Sequence, residues 1–315
     1  MGDNSSPAFP PQAGIAGLSQ KLCYGLAMAF LRTPLRRFGF RTPAITRFDS
    51  AEVYIADRVA ETSAYAELFG RFTPFEGKTV LELGCNTGYL LHSFLQSERF
   101  TAIGGDIVTS YLNTARESYG DVIEFIQTTP TGIPLSDETV DVVYTIDTVE
   151  HLSRPKEIFM EVFRVLKPGG LFLVHFNPWL NPYGSHLEDI IAFPWPHVVF
   201  SMDTLLTVAE KVYESPAYPA ACYFIDPKTG EKSPNPYHNR ENWETYLNRM
   251  TISRFNRLLE ELPFERVHQE RIGFGGKTFK LARMLRGLAR VPVIDELFTN
   301  ALFTVLVKPR ADLRA

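Results

Sequence analysis

From Gly77 to Phe176, short apolar runs alternate with stretches whose apolar residues recur three and four positions apart. "KTVLELG", "FTAIGGD", "VIEFIQT", "VDVVYTID" and "LFLVHF" read as strands. "YLLHSFLQS", "VTSYLNTARESYG" and "PKEIFMEVFRVL" read as helices, the last with proline near its start and "KPGG" as its stop. Near-continuous apolar strands between helices predict a mostly parallel sheet covered on both faces, with right-handed crossovers.

The rhythm differs on either side of this block. Residues 1–14 are rich in Ser, Pro and Gly and predict a disordered tail. Residues 15–75 predict a helical cap, with "AEVYIADRVAETSAYAELFGRF" as its best helix. Residues 178–261 break the alternation and predict an inserted lid over the sheet. Within it, "SMDTLLTVAEKVYE" and "WETYLNRMTISRFNRLLEEL" keep helical spacing. "FERVHQERIG" and "LFTNALFTVLVKP", separated by the basic helix "FKLARMLRGLAR", predict an antiparallel strand pair at the sheet edge. The expected division is therefore 76–177 with 262–310 as core, plus cap and lid.

Composition narrows the function classes. The chain has 315 residues, 45% hydrophobic and 22% charged, with net charge −4. That is ordinary for a globular protein and gives no overall attraction to nucleic acid. Cys23, Cys85 and Cys222 are too dispersed for a disulfide framework or zinc cluster, so a reducing, cytoplasmic setting is expected. No apolar run is long enough to span a bilayer. "LCYGLAMAFL" with its basic neighbours makes residues 22–37 a candidate for peripheral membrane contact; the alternative is a packed cap helix with a solvated basic flank.

The chemistry concentrates at the carboxyl ends of the strands, where ligands bind such sheets. "VLELGCNTGYL" places a glycine-rich turn between strand and helix, and the next strand ends in Asp106, placed to accept hydrogen bonds from two ribose hydroxyls. The glycines Gly84 and Gly88 do not make a dinucleotide-type G-x-G-x-x-G, which disfavours hydride transfer.

"LELGCNTG", "GGD" and "IPLSDETVDVVYTIDTVEHLSRPKEIFMEVFRVLKPGG" together resemble class I S-adenosylmethionine-dependent methyltransferases over about residues 77–177. The resemblance implies a Rossmann-like α/β fold: a seven-stranded, mostly parallel sheet with an antiparallel edge strand. It implies S-adenosylmethionine as cofactor. Glu82, Gly84, Cys85, Asn86 and Gly88 would cradle its methionine half, and Asp106 its ribose. Ile107 would pack on adenine, Thr128 or Thr129, or else the backbone, would replace the acid usual near the adenine amine, and Ile146 and Asp147 would lie alongside. Asn86 stands where the family has a glycine, and asparagine tolerates the left-handed region well.

Asp147, Glu150 and His151 form D-x-x-E-H, similar to a pattern of ubiquinone-pathway O-methyltransferases that is associated with a divalent cation. A structural role without metal is preferred here. The stretch "NPWLNPYGSHLEDIIAFPWPHVVF", Asn177 to Phe200, follows the fifth strand and is the expected substrate wall. Ser185 and Glu188 suit a capping box that sets His186 at a helix mouth facing the cleft. His186 is the preferred general base, with His151 and His197 as alternatives. His175, within the strand, is as well suited to the core as to the pocket. A metal triad of His186, His197 and His238 has no recognised spacing behind it. Trp179, Tyr183, Phe193, Trp195 and Phe200 would supply flat surfaces, continued by Tyr223, Tyr237, His238, Trp243 and Tyr246. Tyr54 and Tyr65 would close the pocket from above.

The expected activity is methyl transfer to a small-molecule acceptor, most simply a hydroxyl that is phenolic, polyketide-like, sugar-linked or lipid-linked. C- or N-methylation and a non-catalytic cofactor-binding scaffold are the alternatives. A homodimer stays open, and no nucleic-acid partner is expected.

Overall fold

A computed structural model describes residues 17–32, 51–218, 220, 224–226, 229–274 and 280–310. The expected tail, Cys222, Tyr223 and residues 33–37 of the expected membrane contact lie outside them, as does the side chain of Tyr54.

Seven strands form one sheet: β1 (Thr79–Leu83), β2 (Thr101–Asp106), β3 (Glu124–Gln127), β4 (Val140–Ile146), β5 (Leu166–Phe176), β6 (Glu265–Gly273) and β7 (Thr299–Val307). Their order is β3-β2-β1-β4-β5-β7-β6. The first five pair in parallel, and β7 runs antiparallel between β5 and β6. The strand order reverses between β1 and β4, which opens a crevice at their carboxyl ends.

The helices are α1 (Leu18–Arg32), α2 (Ala51–Ala60), α3 (Thr62–Gly70), α4 (Tyr89–Leu95), α5 (Thr109–Tyr119), α6 (Pro155–Val165), α7 (Pro196–Val199), α8 (Met202–Glu214), α9 (Arg240–Tyr246), α10 (Ile252–Glu260) and α11 (Lys280–Leu288). α6 shows why the sequence folds as it does. Pro155 starts it, where no amide donor is needed, and Ile158, Phe159, Val162 and Val165 make one buried stripe. That stripe packs on one face of the sheet with Phe172 and Phe255. Each such side chain contributes roughly 1.5–3 kcal/mol by leaving water. The opposite face is covered by Phe69, Leu91, Phe94 and Leu112 from α3, α4 and α5.

"KPGG" does more than stop α6. β5 begins at Leu166 and carries these residues as an irregular first segment, with its register to β4 shifting between Val140 and Val142. Lys167 binds Asp141 at 2.8 Å, and the Gly169 amide donates to the Lys308 carbonyl at 2.7 Å, so the segment is held from both sides.

A third cluster lies off the sheet. Cys23 and Ala27 of α1 are fully buried against Leu205, Ala209 and Val212 of α8, together with Leu187, Ile190, Phe193 and Phe200. The apolar side of α1 expected to touch a membrane is thus largely spent on its own protein, although Leu18 and Leu22 stay exposed. α10, within the stretch expected as lid, instead sends Ile252, Phe255 and Leu259 into the sheet core. No described helix is long and apolar enough to cross a membrane.

Candidate functional site

A cavity of about 580 Å³ opens at the carboxyl ends of β1, β2 and β4. One half is built by the turn after β1. Gly84, Asn86 and Gly88 all have positive φ: 84°, 51° and 78°. Asn86 bears this without a glycine because its side-chain Oδ1 accepts the Thr87 amide at 2.7 Å. The Asn86 amide donates to Asp106 Oδ2 at 2.8 Å, and the Val108 amide to Asp106 Oδ1 at 2.8 Å. These bonds aim the carboxylate into the cavity and leave each oxygen a second lone pair for a hydroxyl donor. Ile107 lines the cavity and is 52% exposed, an apolar surface without a cover. Thr128, Thr129 and Ile146 complete this half.

The remaining turn residues act differently from expectation. Cys85 does not line the cavity; its thiol is buried and its amide donates to the Gly105 carbonyl at 3.1 Å. Gly88 is a spacer, because a Cβ there would meet Phe125 at 2.7 Å. Glu82 is buried beneath the turn beside Tyr144, and its Oε2 has no hydrogen-bond partner. Burial pushes its carboxyl up to about 8, against the opposing pull of Tyr144. The aimed acid Asp106 and the bare apolar shelf of Ile107 fit a nucleoside, while Glu82 stays beneath the turn and outside the cavity lining.

The other half of the cavity is built after β4 and β5. Asp147, at φ 50°, meets Arg58 of α2 at 3.2 Å and the Asn177 amide nitrogen Nδ2 at 3.1 Å; His175 Nδ1 lies 3.3 Å away. Burial works against ionisation of Asp147, but His175 and Arg58 outweigh it and hold the carboxyl below the usual range. His175 is therefore a buried support packed edge-on against Tyr65, which leaves Tyr65 in the packing rather than over the pocket.

His151 and His186 meet in the cavity, ring centres 5.0 Å apart, beside Tyr246. His151 Nδ1 donates to the Tyr246 carbonyl at 3.2 Å, which leaves Nε2 as the free acceptor. His186 Nε2 is 4.0 Å from Glu150 Oε1. Burial, and then the charge of His151, push His186 down to about 3; burial also lowers His151. Burial, and then Asp147, hold Glu150 well above the carboxylate range. Both imidazoles are neutral near pH 7. Ligand atoms of Glu150, His151 and His186 lie within 4.8 Å of one another, a set chemically suited to a cation. Asp147, expected in such a set, is instead engaged by Arg58, Asn177 and His175.

The expected helix at Ser185 does not form. Successive turns replace it: Tyr183 N to Asn181 Oδ1 at 2.6 Å, Gly184 N to Asn181 O at 3.2 Å and His186 N to Tyr183 O at 3.0 Å. Ser185 Oγ is buried without a partner instead of capping, and Glu188 lines the cavity with its carboxyl pushed up to about 8 by burial, then by Asp189. His186 reaches the cavity from a left-handed backbone, φ 53°. Asn86, Asp147 and His186 are thus three non-glycine residues in an unfavourable region around one cavity, a kind of strain concentrated at functional sites.

His197 does not face the cleft: its Nε2 donates to the Trp179 carbonyl at 2.7 Å, and it braces the loop. His238 lies by Glu210 and Glu214 of α8, so the triad with His186 and His197 is not assembled. The expected aromatic wall is mostly packing. Phe193 and Phe200 enter the cluster with α1 and α8, while Trp195 sits on Phe274 and Phe298. Trp179 packs on His197, Tyr183 on Phe274, and Tyr237 on Trp243. Among the described residues of the expected wall, Tyr246 is the only ring that lines the cavity. Asn177 opens the expected wall and does line the cavity, while Arg58, Tyr111 and Thr148 line it without having been expected. Nothing in their local sequence marks them, because each depends on how separate segments converge.

Residues 81–174 match the family described as a methyltransferase domain. An uncharacterized methyltransferase of Mycobacterium ulcerans is 28% identical over 153 residues, covering 48% of this chain and 58% of that protein. One of Mycobacterium bovis is 31% identical over 114 residues, covering 36% and 44%. The chain thus spans about half the length of these curated relatives. A chain from the complex between the Haloferax volcanii Trm112 methyltransferase activator and a methyltransferase superposes with a TM-score of 0.50 at 15% identity. The match covers 90% of this chain and 98% of that one, a likeness of fold. The matched segment spans the turn, Asp106 and the strained Asp147, so much of the cavity lies in the part of the chain that is similar to methyltransferase domains.

Proposed function

We propose that the protein transfers a methyl group from S-adenosylmethionine to a small-molecule acceptor, most simply a hydroxyl group. One observation carries the reading: the cavity holds the Asp106 turn at one end and the His151–His186 pair at the other. The cofactor supplies an electrophilic methyl. Asp106 holds its ribose, Ile107 its adenine face, with Thr129, Ile146 and Asp147 alongside; Glu82 answers its amine through the turn. Arg58 and Asn177 fix Asp147, and Tyr246 and Glu188 border the acceptor.

His186 accepts the acceptor's proton at a neutral imidazole nitrogen. Its basicity is low, so it does not deprotonate the hydroxyl beforehand; it takes the proton as the oxygen becomes acidic on gaining carbon. The same low basicity favours, as second reading, a nitrogen acceptor that needs little assistance.

The test is a panel of phenols, sugars, lipids and amines with radiolabelled methyl donor, with and without chelator. Turnover on a hydroxyl acceptor, reduced by about tenfold or more in His186→Ala with cofactor affinity unchanged, is the expected result. Full turnover in that variant removes His186 from the reaction. Donor binding with no methylated product anywhere in the panel favours a cofactor-binding scaffold.

A further inference from the structure

We infer that α11 and the turn following it dock the protein on an anionic lipid bilayer. The sequence from Lys277 to Arg290, "KTFKLARMLRGLAR", holds five basic residues and no acid, in a chain of net charge −4. Local charge and global charge thus have opposite signs, and the contrast marks a partner that is negative and extended.

The helix is seated, not loose. A Cβ on Gly273 of β6 would come within 2.5 Å of the Arg286 carbonyl, so strand and helix backbones approach closely there. Ala289 is buried, and Leu285 and Leu288 are half-buried. What remains outside is both basic and apolar. Met284 is 70% exposed and Val293 is 97% exposed, and Arg286, Arg290 and Val291 of the same stretch are exposed as well. Arg286 and Arg290 form no ion pair among the described residues. The nearest acids in sequence are engaged elsewhere: Asp295 with Arg271 at 2.9 Å, and Glu296 as acceptor of the Ile252 amide at 2.9 Å.

Exposed apolar and basic side chains within one short stretch distinguish the occupant. A nucleic acid needs the charges and gains little from Met284 and Val293. A bilayer uses both: headgroup phosphates meet the arginines, and the apolar tips enter the boundary with the acyl chains. Val293 holds φ 79°, a costly conformation for a β-branched residue, at the most exposed point of this surface. The surface also lies near the lid. Phe274, one residue beyond β6, packs on Tyr183 and Trp195, and His186 and Glu188 between those two face the cavity.

The whole protein is sedimented with vesicles of phosphatidylcholine alone or with about one-third phosphatidylserine, at low and high salt. Binding to the anionic vesicles only, weakened by salt, is expected. Arg286→Glu/Arg290→Glu lowers partitioning about tenfold or more, and Met284→Ser/Val293→Ser lowers it without changing the salt dependence. Thermal melting and S-adenosylmethionine binding, which do not involve these exposed side chains, establish that the variants are folded. Equal binding to neutral vesicles, no binding to anionic ones, or undiminished binding by the arginine variant overturns the inference. Tight binding of single-stranded RNA that is indifferent to Met284→Ser/Val293→Ser also overturns it and assigns the surface to nucleic acid. None of these readings depends on methyl transfer.

Discussion

Gly84→Ala places the largest strain on the smallest change. Gly84 has φ 84°, where an L-residue costs about 1–2 kcal/mol. An added Cβ would also lie 2.6 Å from Thr148 Cγ2 and closer still to Thr148 Oγ1. Relieving that overlap costs about 1–3 kcal/mol, because Thr148 is itself held by its bond to the Ile146 carbonyl at 3.0 Å. The variant is therefore expected to lose about 2–5 kcal/mol in urea unfolding. Thr148→Ala removes the two closest contacts and leaves only the Thr148 Cβ, at 3.0 Å. The double variant should recover about 1–2 kcal/mol relative to the sum of the singles, while the cost from φ persists. A loss within about 0.5 kcal/mol for Gly84→Ala, or strict additivity with Thr148→Ala, refutes the described approach of the β1 turn to the segment after β4.

Three further outcomes follow from the site and its supports. Asp106→Ala should weaken S-adenosylmethionine binding by about tenfold or more in calorimetry, since it removes acceptors for two hydroxyls and unties the Asn86 amide. Glu82 has a folded-state carboxyl raised to about 8, so the stability tied to its proton is complete below the unfolded value and lost as pH rises through 8. Across that window the cofactor-free protein should lose a few kcal/mol relative to Glu82→Gln, read as diverging urea midpoints. Arg164→Met should cost about 1–3 kcal/mol, because it leaves the Ile133 and Leu135 carbonyls, bonded at 2.8 and 2.7 Å, without their shared donor.

The donor half of the cavity was legible in the sequence, and the acceptor half much less so. Strands buried on both faces are nearly uniform in apolar residues, so β1, β2, β4 and β5 announce themselves by composition. Asp106 and the glycines then follow from their places at strand ends. The stretch after β5 carries no such periodicity. Its aromatic residues are as suitable for a core as for a substrate wall, and a ring's direction is decided by neighbours from α1, α8 and residue 274. His186 and His197, eleven positions apart in the stretch after β5, illustrate this: one reaches the cavity through a left-handed turn, the other, in α7, clasps the Trp179 carbonyl. The expected helix at Ser185 failed because Asn181 and Tyr183 offer nearer partners, which close turns before a helix can start.

The packing of α1 on α8 has a consequence during synthesis. About 170 residues separate Arg32 from Met202, so the ribosome needs roughly ten to thirty seconds to supply the partner of an already emerged helix. Throughout that interval Cys23, Ala27 and their apolar neighbours have no α8 to cover them. α1 of a nascent chain thus presents uncovered apolar surface of the kind that hydrophobic-segment chaperones bind. Slowing translation between α1 and α8 should lower the yield of folded protein without altering a single native contact.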